Sequence, residues 1–247
     1  MKTTPQDLRP RLIPMLLIEN RRLIKTTKFN NPKYLGDPLN ALRIYNEQCA
    51  DEIIIIDKSI SNSPDLALLE RMVSEAFMPI SYVGNINSIY DFKDVFNLGI
   101  EKVGSGSLLF KDIDLINQAC AIWGSSSIFI MLNISKEFKH YYCRTSSVSG
   151  SRLMELEHSL KLIKQSKAGE VIVQNIDLEG TMKGLQDTPI KIVKDYLNIP
   201  IISSGGASTI QNCLNQISSL GISGVSAGSI FSFYGSRKAV LINYEYK

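Results

Sequence analysis

The chain repeats itself, and that constrains its fold more than any other feature. PISYVGNINSI at 79–89 matches PIISSGGASTI at 200–210, and LGIEKVGSGS at 98–107 matches LGISGVSAGS at 220–229. ADEIIII at 50–56 matches AGEVIVQ at 168–174, and MLLI at 15–18 matches MLNI at 131–134. The offsets all fall between 116 and 122 residues, close to half of a 247-residue chain. Matches at one shared offset imply a duplicated half.

What is duplicated can be read from the pattern within each half. Short β-branched runs recur at 13–20, 52–57, 78–84, 101–106, 128–134, 170–176, 199–206 and 224–229, eight in all. Amphipathic segments lie between them, with helix-start signals such as Asp37-Pro38 before LNALRIYNEQC and Asn62-Ser63-Pro64 before DLALLERMVSEAF. A polar cap before a proline in the first turn is a favourable helix start. Continuous apolar strands alternating with helices imply a parallel sheet buried on both faces. Eight such units in a chain of this length predict a single α/β domain over 1–247, a (β/α)₈ TIM barrel of two (β/α)₄ halves at roughly 11–125 and 126–235. An open flavodoxin-like sheet is the alternative, but it would not require the duplication.

Composition excludes several classes of function. The 27 basic and 24 acidic residues give a net charge of only +3, and the basic ones are scattered, so nucleic acid is not an expected partner. No apolar run approaches the ~20 residues needed to cross a bilayer, and MKTTPQDLRPR lacks the apolar core of a signal peptide. A cytoplasmic protein with no membrane association is the expectation. Cys49, Cys120, Cys143 and Cys213 lie far apart, with only His140 and His158 beside them, so no metal-ligand spacing exists and nothing requires a cofactor. Cys49, Cys120 and Cys213 read as small packing residues on helix faces, while Cys143 lies in a polar loop.

In a barrel the working face is the C-terminal end of the strands. IISSGGAST at 201–209 and SAGSIF at 226–231 end adjacent strands with small residues leading into helices. Glycines there let a phosphate approach backbone N–H groups, so Ser204, Gly205, Gly206, Gly228 and Ser229, with Gly180 on the preceding loop, form a candidate phosphate site. The repeat-related loops offer a poorer version in Gly84, Gly106 and Ser107, because Val83 and Asn85 stand where the later loop has Ser204 and Gly206. Small residues at strand-to-helix turns also serve tight packing alone.

From RLIPMLLIENRRLIKT through GDPLNALRIYNEQCADEIIIID, AGEVIVQNIDLEGTMKGL and IISSGGAST to SAGSIF, about Arg11 to Phe231, the order of motifs resembles the HisF-type cyclase subunit of imidazole glycerol phosphate synthase. That resemblance implies a HisH-like glutaminase subunit at the N-terminal face of the barrel and ammonia passing through the barrel to a phosphorylated ligand. The cyclases close their imidazole ring with two aspartates, one ending strand one and one ending strand five. Here those positions are Leu17 and Asn133. Neither exchanges a proton near neutral pH, which removes a contribution of ~10²–10⁴-fold per group.

The resemblance further implies a salt-bridged ammonia gate at strand entrances, and Arg11, Glu52, Lys102 and Glu170 are in register for it. Any one such charge can simply solvate the bottom of a barrel, but four on so small a ring must pair. Asp57 and Asp177 occupy positions of pocket-facing acids in the family, Glu179 stands where the family has aspartate, and Lys25 matches a mobile-loop lysine that helps close over substrate. Asp57, Asp177 and Lys25 are therefore the catalytic candidates; a solvated lysine and a capping aspartate are the plain alternatives. SKEFKHYYCRTSSVSGS, at 135–151, reads as a lid-like loop or small hairpin, in which Tyr141 or Tyr142 could stack on a base or sugar and His140 is exposed. His158 reads as a surface residue.

The resemblance with the two aspartates missing suggests a barrel that conducts ammonia, of the kind found beside sugar amidotransferases in surface-polysaccharide pathways. Two alternatives stay open. One is a cyclase of histidine biosynthesis with proton transfers relocated to Asp57, Asp177 and Glu179; the other is a phosphate-binding regulatory barrel without ammonia traffic.

Overall fold

The structure is a computed structural model that describes residues 10–145, 152–235 and 237–244. The opening stretch read for a leader and the 146–151 part of the loop after strand five lie outside these residues. Eight parallel strands close on themselves: β1 (Arg11–Glu19), β4 (Ile53–Asp57), β5 (Ile80–Val83), β6 (Lys102–Ser105), β7 (Ile128–Glu137), β10 (Glu170–Asn175), β11 (Ile201–Ser204) and β12 (Gly224–Ala227). Closure is made where β12 pairs with β1, Arg11 opposite Gly224, and where β7 pairs with β10, Phe129 opposite Glu170. The chain folds as a (β/α)₈ TIM barrel.

The apolar runs are continuous because each strand is buried on both faces. Alternate residues divide between two cores. Leu12, Leu16 and Ile18 of β1 point outward into the layer beneath the helices, whereas Ile13, Met15 and Leu17 point into the barrel. Similarly, Ile53 and Ile55 face out and Ile54 and Ile56 face in; Ile128, Ile130 and Leu132 face out and Phe129 and Met131 face in. The interior is thus a packed core and not an open pore, as expected for eight strands.

The outer helices are α1 (Pro38–Glu47), α2 (Leu66–Glu75), α3 (Ile89–Asn97), α4 (Leu108–Lys111), α5 (Ile113–Trp123), α6 (Leu156–Gln165), α7 (Asp187–Tyr196) and α8 (Ile210–Leu220). Asp37 caps α1 by accepting from the Leu39 amide at 2.7 Å, with Pro38 in the first turn. The cap of α2 is Asp65, two residues beyond the Ser63 expected from sequence, because its carboxylate accepts from the Leu68 amide and pairs with Arg21. Ser88 caps α3 in a capping box with Asp91, and Thr209 caps α8.

Two antiparallel hairpins grow from the C-terminal ends of barrel strands. After β1 come β2 (Arg22–Thr27) and β3 (Asn30–Gly36); after β7 come β8 (His140–Arg144) and β9 (Leu153–Glu155). The chain ends in a small ribbon of β13 (Phe233–Tyr234) and β14 (Ala239–Val240). Cys120 and Cys213 pack as expected, but Cys49 is exposed: it sits in the turn after α1 with φ of 56°, which aims it away from the helix face. Cys143, read as part of a polar loop, lies on β8 with its side chain fully buried, and burial pushes its thiol up to about 12. No helix among the described residues is long and apolar enough to cross a membrane.

Candidate functional site

At the N-terminal end of the barrel four charged side chains meet across the opening. Arg11 grips Glu52 with two hydrogen bonds, 2.6 Å from Nε and 2.7 Å from its second terminal nitrogen, and reaches Glu170 at 2.6 Å. Lys102 donates to the other oxygen of Glu170 at 3.0 Å. The result is an alternating chain, Glu52–Arg11–Glu170–Lys102, contributed by β1, β6, β10 and the entrance to β4. Glu170 is only 4% exposed, so its charge is tolerated because two cations satisfy it. Hydrogen bonding to Glu52, followed by the field of Glu170, raises the Arg11 pKa despite burial. The sequence placed all four at strand entrances; that Arg11 bridges two strands of the barrel was not visible in it.

At the opposite end the mouth is divided into two pockets. One, a cavity of about 30 Å³, is walled by Lys25, Gln174, Glu179, Gly180, Ser204, Gly205, Gly206, Gly228 and Ser229, with Met15 beneath. It gathers every residue of the later phosphate candidate. Lys25, read as part of a loop, lies on β2 and points inward. Its ammonium occupies the space that a side chain at Gly228 would fill, 1.6 Å from where a Cβ would stand, and donates to the Met15 carbonyl at 3.4 Å. Burial lowers the Lys25 pKa to about 8, against the opposing field of Glu179. Gly205 and Gly206 hold φ of 93° and 101°, and each leaves room for a carbonyl, of Asn175 and Gly184 respectively. The Gln174 Oε1 is buried here without a hydrogen-bond partner.

The second pocket, about 130 Å³, is walled by Phe29, Ile56, Asp57, Val83, Gly84, Gly106, Ser107, Met131 and Asn133. Asp57 and Asn133 are brought together here with the earlier phosphate candidates. Asp57 accepts from the Ser59 amide at 2.8 Å, and at longer range from the Tyr82 hydroxyl and the Asn85 amide. Burial, then the charge of Asp57, raises the Tyr82 pKa, so the phenol keeps its proton and donates a hydrogen bond to the carboxylate. Leu17 is 3% exposed and packs in the inner cluster with Ile24 and Phe29 of the hairpin and with Ile56, Val83 and Met131. A position that could carry an acid is instead the floor of an apolar plug.

The sequence profile of the histidine biosynthesis proteins matches residues 11–237 of this chain. The chain belongs to the histidine biosynthesis protein family. Its barrel is HisF-like. It is 37% identical to a provisionally named imidazole glycerol phosphate synthase subunit HisF of Leptospira borgpetersenii, over 96% of this chain and 95% of that protein. It is 35% identical to a provisionally named subunit hisF2 of Pseudomonas aeruginosa, over 96% of both. The imidazole glycerol phosphate synthase subunit HisF of Natranaerobius thermophilus is 30% identical, again over 96% of both chains.

Within this HisF-like frame the catalytic candidates are dispersed. Lys25 is in one pocket and Asp57 in the other. Asp177 lines neither: it accepts from the Lys136 amide at 2.7 Å and ties the loop after β10 to the end of β7. Glu179 holds the hairpin, accepting from the Thr26 hydroxyl at 2.9 Å and the Phe29 amide at 2.8 Å. Gly180 permits the same contact, since a Cβ there would stand 2.0 Å from the Thr26 carbonyl. The loop after strand five forms a hairpin over its described part, but it leans outward. Tyr141 and Tyr142 face a side groove with Leu160 and Tyr196, away from both pockets. His140 and His158 are exposed.

Proposed function

We propose that this chain is the barrel subunit of a glutamine-dependent amidotransferase complex. It receives ammonia from a glutaminase docked at the N-terminal end of the strands and releases it at the other end, beside a phosphorylated ligand. A separate amidotransferase then uses it on a sugar. The observation that carries this reading is the Glu52–Arg11–Glu170–Lys102 chain. Four charges that satisfy one another across an opening shut it to water, and breaking one pair opens it. Above them the Ser226 oxygen and the Gln174 Oε1 are buried and unpartnered, a pair of acceptors for the N–H groups of neutral ammonia.

Ring closure in place is not part of the proposal. The side chain of Leu17 has no proton to move, Asn133 is a neutral amide, and Asp57 is engaged with three donors. The sugar acceptor rests on resemblance to the barrels of polysaccharide pathways.

The test is turnover of the cyclases' phosphoribosyl-formimino-carboxamide substrate with ammonium salt, by the native protein and by a Leu17→Asp/Asn133→Asp variant. No ring closure by the native chain is expected, and none by the variant unless the mouth also accepts the second phosphoryl group of this substrate. Turnover by the native chain would overturn the proposal in favour of a cyclase of histidine biosynthesis.

A further inference from the structure

We infer that the ligand of this barrel carries one phosphoryl group, held beside Lys25, Ser204 and Gly228, and presents an uncharged, hydrogen-bonding end to Asp57 and Asn133. The inference rests on the reading above that a phosphorylated ligand binds at this mouth, and it narrows the class.

The two pockets differ in charge. The one around Gly228 contains a buried ammonium whose one hydrogen bond among the described residues, at 3.4 Å, is long, the Ser204 hydroxyl, whose contact is the Met15 sulfur at 3.9 Å, and the Glu179 carboxylate, whose oxygens already accept from Thr26 and Phe29. The ammonium and the hydroxyl are weakly engaged donors nine-tenths or more buried and directed into one cavity, which is what a phosphate requires. Around Asp57 the situation is reversed. Among the described residues lining that pocket none is basic, and the one charge is a carboxylate. Nearby Lys58 is already engaged, donating to the Phe29 carbonyl at 3.0 Å.

Gly228 differs from the other glycines of both pockets, since Gly180, Gly205 and Gly206 lie against neighbouring carbonyls as Gly84 and Gly106 do. Gly84 and Gly106 are filled by structure: a Cβ would stand 2.7 Å from both Cβ and carbonyl of Asp57 in one case, and 2.6 Å from the Met131 carbonyl in the other. They let backbone pack on neighbouring strands. Gly228 instead makes room for a charged, movable side chain.

Apolar side chains lie beneath both pockets. One apolar cluster contains Met15 of the first pocket, Phe29 and Met131 of the second, and Leu17 and Ile24 as well. A ligand with two phosphoryl ends would have to lift the hairpin and set its second dianion beside Asp57. A monoester whose far end offers hydroxyl or amide groups needs neither, because Asp57 accepts hydrogen bonds and Asn133 both donates and accepts.

The experiment is calorimetric titration of the native chain with inorganic phosphate, ribose 5-phosphate and ribulose 1,5-bisphosphate. One site per chain is expected, with the bisphosphate less than tenfold tighter than the monophosphate. Lys25→Gln and Ser204→Ala should each weaken both sugar phosphates at least tenfold in proteins that melt cooperatively, and Asp57→Asn should improve the bisphosphate selectively. A bisphosphate at least tenfold tighter in the native chain would overturn the single-phosphoryl inference and leave the phosphorylated-ligand reading standing. No binding of any of the three would overturn that reading, and this inference with it.

Discussion

Lys25 is 7% exposed, and its ammonium rests on a single carbonyl. A charge so placed loses most of its hydration and regains little, which is why burial brings its pKa down to about 8 from an ordinary 10.5. Below pH 8 the group is charged in both folded and unfolded chains, and the full penalty applies. Between 8 and 10.5 the folded chain has shed a proton that the unfolded chain keeps, so stability from this residue rises with pH. The shift corresponds to roughly 3 kcal/mol. Urea unfolding of native protein and Lys25→Met from pH 7 to pH 10.5 should therefore show the native protein gaining on the variant by about that amount. A constant difference would mean that the ammonium is better solvated than its position implies. Bound phosphate should abolish the trend by restoring a partner to the charge.

At the scale of elements, the first hairpin decides what the mouth can hold. It is fastened by Glu179, which receives Thr26 and Phe29, by the Lys28 amide on the Glu179 carbonyl at 2.9 Å, and by Phe29 and Ile24 in the inner core. Hydrogen bonds to a charged acceptor contribute about 1.5–3 kcal/mol each. Glu179→Gln keeps the shape and loses the charge, and should cost about 1.5 kcal/mol of local stability. Amide exchange at Lys28 and Phe29 should then be about tenfold faster, with exchange in β7 and β10 unchanged. Unaltered exchange would show that Phe29 alone holds the hairpin. This hairpin is also where sequence reading stopped short. The eight barrel strands were legible because burial on both faces leaves an unbroken apolar run, and the pocket walled by Ser204, Gly205, Gly206, Gly228 and Ser229 was legible because small residues crowd the ends of β11 and β12. RLIKTT and NNPKYLG carry mixed polarity and a proline, and their pairing depends on a register with β1 and on contacts to a loop some 150 positions away, as the 153-residue separation of Thr26 and Glu179 shows. Glu179, read as a pocket-facing acid, does line the pocket, but its bonds to Thr26 and Phe29 were not legible, because local sequence tells which side a residue faces and not which distant partner waits there.

The whole barrel sets its charged chain and its two pockets at opposite ends of the same strands. Arg11 opens β1 and Met15 lies beneath the pocket that Lys25 enters, so at ~3.3 Å per residue the charged chain is about 13 Å from that pocket along the strand. Between them is a packed interior in which Phe129 occupies the side-chain space left by Gly104, within 2.3 Å of where a Cβ would stand. Sites this far apart with no shared partner usually contribute independently. Arg11→Met should therefore destabilise the protein by about 3 kcal/mol, since it leaves buried Glu170 with Lys102 alone. It should nonetheless leave the affinity for ribose 5-phosphate within threefold of native, measured by calorimetry at a temperature where both proteins are folded. A larger loss of affinity would mean that the ends are coupled through the packed core. In that case the charged chain would sense occupancy of the mouth, and its opening would be timed by the ligand instead of by whatever docks beneath it.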